Sequence, residues 1–320
     1  MKPLDHPSVS PPENGRLTQN TAAMLGLRRR YSVDDWNGEG LGARRMGPGG
    51  PWPMKCSNRG DMIPLSDENP TLRFPVVTGL LLVSLGLVWF FVQGAGLDER
   101  TLAASVCNLG MVPGELTGLA PRDAAVPIAK NLACVVDREP VNWLTPLTSM
   151  FLHGGWGHLL GNALFLWVFG NNVEDSMPRG RFVVFYTFCG LAAAAAQVAI
   201  DPTSPVPMVG ASGAISGVMG GYLVLYPKVR VKVLFVWVIF LQILRVPAYV
   251  VLLLWAAYQV VLGLPQLTTI DEKVSSGVAV WAHIGGFAAG LMFIKLFASR
   301  DLVEKHRRLR ASSYSQVPQR

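Results

Sequence analysis

Residues 210–220 read Gly210-Ala211-Ser212-Gly213-Ala214-Ile215-Ser216-Gly217-Val218-Met219-Gly220, and the uncharged run continues to Tyr226. The segment predicts an apolar, glycine-rich helix with a serine at its head. A polar side chain inside a membrane-length segment costs free energy unless it has a task there. Ser212 therefore needs a partner elsewhere in the chain.

The bulk composition says where that helix lies. Of 320 residues, 50% are hydrophobic and only 15% charged, with a mean hydropathy of +0.33. Soluble chains carry about 25% charged residues, so the expected fold class is an all-α, polytopic membrane protein. The formal charge of +7 would suggest nucleic acid in a soluble domain. Here the basic residues flank apolar runs, so orientation in a lipid bilayer explains them better and no nucleic-acid partner is expected. Cys56, Cys107, Cys134 and Cys189 form no CxxC or Cys/His cluster, so neither metal nor cofactor is expected. Spacing alone leaves open whether Cys107 and Cys134 form a disulfide.

Residues 1–61 are rich in Pro, Gly and Arg, with six glycines between Gly38 and Gly50, and read as a disordered basic tail. Phe74–Gln93 is the first span, and the proline-bearing stretch Gly94–Met150 is a long first loop on the outer side. Further spans are expected at about Phe151–Asn171, Phe182–Ile200, Ser212–Tyr226, Val246–Gly263 and Val278–Phe297. Val233–Leu244 is too short to cross roughly 30 Å of hydrocarbon and is read as interfacial or re-entrant. With six spans, one side of the membrane holds 23 Lys/Arg and the other 5. The positive-inside rule puts both termini in the cytoplasm of a multi-pass protein of the cell (inner/plasma) membrane. Residues 62–298 form the six-helix domain, and 299–320 a basic cytoplasmic tail.

No Asp or Glu falls inside a span, but His158, Asn162, Ser212 and His283 do. At about 1.5 Å per residue, Ser212 lies ~21 Å above the inner end of its span, His283 ~18 Å, and His158 and Asn162 ~21 and ~15 Å. Three segments running inward thus put four polar side chains in one layer. Gly286 and Gly290 on one helix, with Gly213, Gly217, Gly220 and Gly221 on the other, allow close helix approach. A serine hydroxyl needs a base, His is the usual one, and with no buried acid a Ser212–His283 dyad is what remains. Asn162 and His158, with the Ser212 backbone N–H, suit an oxyanion. His153, at the lip of the second span, is read as structural, donating to a nearby loop. Helical HExxH and paired buried aspartates, which other intramembrane proteases need, are absent.

Gly210-Ala-Ser212-Gly213, His153…His158-Leu-Leu-Gly-Asn162, Asn171-Asn-Val-Glu-Asp175 and Ala282-His283-Ile-Gly-Gly286 resemble the signature elements of the rhomboid family of intramembrane serine proteases. The resemblance covers roughly Met62–Phe297. It implies a six-helix bundle with its site in a water-filled cavity opening outward, Ser212 as nucleophile, His283 as base, and Asn162 and His158 around the oxyanion. It also implies that the substrates are single-span membrane proteins, cut near the outer end of their helix, and that Leu264–Gly277 caps the cavity. The first loop lacks the family's common Trp-Arg pair. Met62-Ile-Pro-Leu-Ser-Asp-Glu-Asn-Pro70 resembles the opening of many bacterial members, so residues 1–61 are expected to be dispensable, with Met62 as a rival start. An inactive family member that binds membrane clients would lose Ser or His, and this chain keeps both. A channel or transporter would call for paired broken helices or buried carboxylates, and the sequence has neither.

Overall fold

The computed structural model describes residues 31–32, 61–121, 124–129, 132–136, 141–237, 240–265 and 279–315. In chain order its elements are β1 (Tyr31–Ser32), β2 (Asp61–Asp67), α1 (Val76–Phe91), α2 (Glu99–Leu109), β3 (Ala125–Ala129) and β4 (Leu132–Val135). Helix α3 follows as Trp156–Phe165, a π-helical turn Leu166–Gly170, and Asn171–Asp175. Then come α4 (Arg179–Ile200), α5 (Ser212–Leu225), β5 (Arg230–Trp237), β6 (Phe240–Pro247), α6 (Ala248–Gly263), α7 (Val280–Phe297) and α8 (Arg300–Ser315). Most of the reading of residues 1–61, and of Leu264–Gly277 as a cap, lies outside the described residues.

Helices α4 and α7 are long and apolar enough to cross a membrane, and α1, α5 and α6 are shorter apolar helices. Their exposed side chains include Leu80, Phe91, Val184, Leu253, Val261 and Leu296, as helices facing hydrocarbon require. Around α5 the core is filled by Phe169, Phe182, Phe185 and Tyr222, all fully buried.

The all-α expectation needs correction, because two three-stranded sheets accompany the helices, in the orders β1-β4-β3 and β2-β5-β6. Val233–Leu244, read as interfacial or re-entrant, lies within the β5–β6 hairpin, with Val233 opposite Leu244. The reason is a period of two: Val231 and Val233 are fully buried on one face, while Lys232 between them points away. The third strand, β2, pairs antiparallel with β5 from far upstream in the chain. A short apolar run cannot reveal such a distant partner.

At the Tyr226 end of α5 the polar residues of Asn171–Asp175 tie the bundle together. Both Glu174 carboxylate oxygens accept from the first turns of α1, from the N–H groups of Val77 at 3.0 Å and Thr78 at 2.8 Å, and from the Thr78 hydroxyl at 2.8 Å. Arg73 meets Asp175 at 3.0 Å and donates to the carbonyls of Glu174, Asp175 and Met177. Asp67 of β2 accepts from Tyr222 Oη at 2.6 Å and Asn172 Nδ2 at 2.7 Å. The basic segment after Ser299 is helical, and its buried His306 sits between Asp175, at 3.4 Å, and the Tyr226 ring.

The described part of the loop 94–150 is built as well. Asp98 caps α2 by accepting from Arg100 N and Thr101 N. A disulfide joins Cys107 to Cys134 and so ties α2 to β4. Met111 and Met208 exchange backbone hydrogen bonds of 3.0 and 2.7 Å, and Thr117 donates to the Pro202 carbonyl at 2.5 Å. The loop is thereby anchored on the connection that leads into α5.

Burial pushes the Asp67 carboxyl up to about 6, with the Tyr222 hydrogen bond only partly opposing it. A carboxyl raised in the folded state stabilises most when protonated, so its contribution is full below its unfolded value and is lost as pH rises through about 6. Thermal melts in detergent between pH 4.5 and 7 should show stability falling with pH in this window, and Asp67→Asn should flatten that fall.

Candidate active site

Ser212 opens α5, and the turn before it is forced by Gly210. That residue has φ +127°, a conformation that side chains other than glycine rarely adopt, and its N–H donates to the Ser149 carbonyl at 2.8 Å. A Cβ at 210 would also lie 2.7 Å from His158 Nε2 and 3.5 Å from Ser212 Oγ. The imidazole of His158 and the Ser212 hydroxyl thus converge on the same glycine. Ala211 provides no capping side chain, so among the described residues the first N–H groups of α5, its positive end, carry no side-chain cap and suit an anion.

His283 sits in the first turn of α7. Gln197 of α4 accepts from the N–H of Ala282 at 3.2 Å and so fixes the start of that helix. Helices α5 and α7 touch backbone to backbone. A Cβ at Gly286 would lie 2.0 Å from the Gly213 carbonyl oxygen, and one at Gly290 would lie 1.9 Å from that of Gly217. Gly213 is itself closed off by Ala193 of α4, 2.6 Å from where its Cβ would stand. At this separation Ser212 Oγ lies 2.7 Å from His283 Nε2.

Asn162 of α3 is buried, and its Nδ2 has no hydrogen-bond partner among the described residues. A buried amide donor left open is costly, which fits a group held ready for an acceptor that arrives later. His158 Nδ1 accepts from the N–H of Gly154 at 3.4 Å. The ring proton then belongs on Nε2, which makes the atom facing Gly210 a donor.

His153 is fully buried and packs edge-on against His158, with ring centroids 5.2 Å apart. Its ring nitrogens make no well-formed hydrogen bond among the described residues, although the Phe151 backbone, just before the ring in the chain, is close enough to act on it. Its backbone is held instead: Gln93 accepts from the His153 N–H and donates to its carbonyl, both at 2.8 Å.

Two residues of α6 were not singled out from the sequence. Gln259 Oε1 lies 3.0 Å from His283 Nδ1, and the Trp255 ring packs 6.0 Å from the imidazole. Among the described residues no cluster of His, Cys, Asp or Glu could hold a metal ion. Chemically, the group is a hydroxyl hydrogen-bonded to an imidazole, with the His158 ring and an uncapped helix head beside it.

A family model described as the rhomboid domain matches residues 140–300. Rhomboid protease GluP of Bacillus subtilis is 41% identical over 81 residues, which is 25% of this chain and 15% of that protein. Rhomboid-like protein 11, chloroplastic, of Arabidopsis thaliana is 29% identical over 156 residues, 49% of this chain and 53% of that protein. Putative rhomboid protease YdcA of Bacillus subtilis is 35% identical over 81 residues, 25% of this chain and 40% of that protein. The matches therefore span at most about half the length of these relatives.

The backbone contact between α5 and α7 predicts a graded effect of added methyl groups. Gly286→Ala must push the helices apart and should cost about 1–3 kcal/mol. Gly161→Ala, whose methyl would meet nothing within 4 Å, should be neutral or stabilising by up to about 1 kcal/mol. Thermal unfolding of the two variants in the same detergent checks the ordering.

Proposed function

The chain belongs to the rhomboid family, whose members are polytopic helical membrane proteins, and on that premise we propose that it is an intramembrane serine endopeptidase acting through Ser212 and His283. The observation that carries this reading is the 2.7 Å contact between Ser212 Oγ and His283 Nε2 at the uncapped head of α5. Ser212 Oγ attacks the scissile carbonyl carbon while His283 Nε2 takes its proton. The oxyanion forms among Asn162 Nδ2, His158 Nε2 and the Ser212 N–H, donors preorganised for charge that appears only in the transition state. The C–N bond then breaks, His283 returns the proton to the leaving amine, and water activated by His283 hydrolyses the acyl-enzyme.

In this reading α1, α3, α4, α5, α6 and α7 are six spans, and residues 62–298 form the protease unit. Residues 1–61 and 299–320 are basic cytoplasmic flanks, and Ser212 opens toward the other side. The Cys107–Cys134 bridge supports that orientation, since disulfides persist in oxidising compartments. The pairing of Tyr31–Ser32 with β4 at the Ser212 end conflicts with β2 at the Tyr226 end. Residues 33–60 between them hold charges and no apolar run in the sequence. The N-terminal side therefore follows β2 and the charge count.

Substrates are single-span membrane proteins. A protease must bind an extended backbone, whereas a helix in lipid has its carbonyls paired. Cleavage therefore favours helices that fray near the outer interface.

Purified wild type, Ser212→Ala and His283→Ala are incubated with a model single-span substrate in liposomes. Both variants should lose cleavage by a factor of about 10³ or more, and equal cleavage by all three would end this reading. Asn162→Ala should lower kcat by about 10²-fold with KM little changed. A Gly or Pro placed near the outer end of the substrate helix should speed cleavage, as followed by gel and mass spectrometry of the products.

A further inference from the structure

Base catalysis by His283 depends on where its single ring proton sits. For Nε2 to accept the Ser212 proton it must be bare, so the proton belongs on Nδ1. A buried Nδ1–H needs an acceptor, and in Ser-His-Asp enzymes a carboxylate fills that place. None of the six apolar helices around this site carries an Asp or Glu within its transmembrane stretch. What faces Nδ1 is Gln259 Oε1, at 3.0 Å, from a side chain only 6% exposed. The orientation of that amide matters. Turned over, its NH2 would donate to Nδ1 and force the proton onto Nε2, leaving Ser212 without a base. The two ring nitrogens are thus bonded to α5 and α6 respectively, while Trp255, one turn before Gln259, packs against the imidazole.

We propose that Gln259 is the positioning residue of this site: through its side-chain carbonyl it holds His283 in the Nδ1–H tautomer, as a neutral substitute for a third, acidic member. The inference rests on the Ser212–His283 dyad proposed above. A neutral acceptor serves here because an ionised carboxylate at this depth would carry a large desolvation cost. It steadies the imidazolium formed during attack less than a carboxylate would. The tautomer is set by α6, so a displacement of α6 disarms Ser212 without touching it.

The experiment uses the full chain in liposomes, with three variants compared with wild type. Gln259→Met removes the acceptor at similar volume, Gln259→Glu keeps an oxygen in the same place, and Ser212→Ala sets the zero. Steady-state cleavage gives kcat and KM, and the rate at which an alkyl fluorophosphonate labels Ser212 reads nucleophile activation without substrate binding. The expected result is a loss of kcat by about 10- to 100-fold in Gln259→Met. KM should stay within about twofold, labelling should slow in parallel, and Gln259→Glu should recover most of the rate. Wild-type kcat and labelling in Gln259→Met would overturn the inference, and so would an equal loss in the Met and Glu variants or a loss confined to KM. Wild-type cleavage by Ser212→Ala would instead overturn the dyad itself, whatever the Gln259 variants do.

Discussion

Two backbones in contact set the geometry of this protein. Where α5 and α7 cross, Gly286 and Gly290 lie against the carbonyl oxygens of Gly213 and Gly217, with no room for even one methyl group between them. In lipid, where apolar side chains gain nothing by leaving hydrocarbon, such close approach is a main source of helix association. It also sets the spacing of the two helix heads, and with it the reach from Ser212 to His283. The other helices act as braces. Ala193 of α4 closes the far side of Gly213, and Gln197 of the same helix fixes the first turn of α7.

The bundle is held differently at its two ends. At the Tyr226 end, the carboxylates of Asp67, Glu174 and Asp175 are satisfied by backbone N–H groups, Arg73, Tyr222 and the Asn172 Nδ2. At the Ser212 end, donors on Asn162 and on the first turn of α5 are left without partners among the described residues. The buried carboxylates are thus paired at one end of the bundle, whereas the other end keeps donors open around the candidate site.

Much of this was legible in the sequence because depth can be counted. Rise per residue put Ser212, His283, His158 and Asn162 in one layer, and the structure brings Ser212 and His283 into contact with His158 beside them. The same count applied to α6 puts Gln259 about 16 Å above Ala248, in that very layer. Gln259 was legible too, but a single Gln among apolar residues looks like a tolerated polar group until its partner is known. The β5–β6 hairpin was not legible, since its strand character depends on pairing with β2 far upstream. His306 in α8 was hidden for a similar reason. Basic tails are read as solvated, and only the position of Asp175 and Tyr226 makes this one dock.

The π-helical turn Leu166–Gly170 divides α3 into two halves with different duties. The upper half carries Asn162 with its amide donor buried and open, and the lower half turns Asn172 toward β2 and Glu174 toward α1. An α-helix advances about 100° per residue, so the wider turn shifts the phase of one half against the other by about one residue. The helix therefore works as a phase adjuster, letting two sets of side chains with incompatible spacings each face the right neighbour. Adding or removing one residue in Leu166–Gly170 would turn one half by about 100° against the other and lose one of the two sets of contacts.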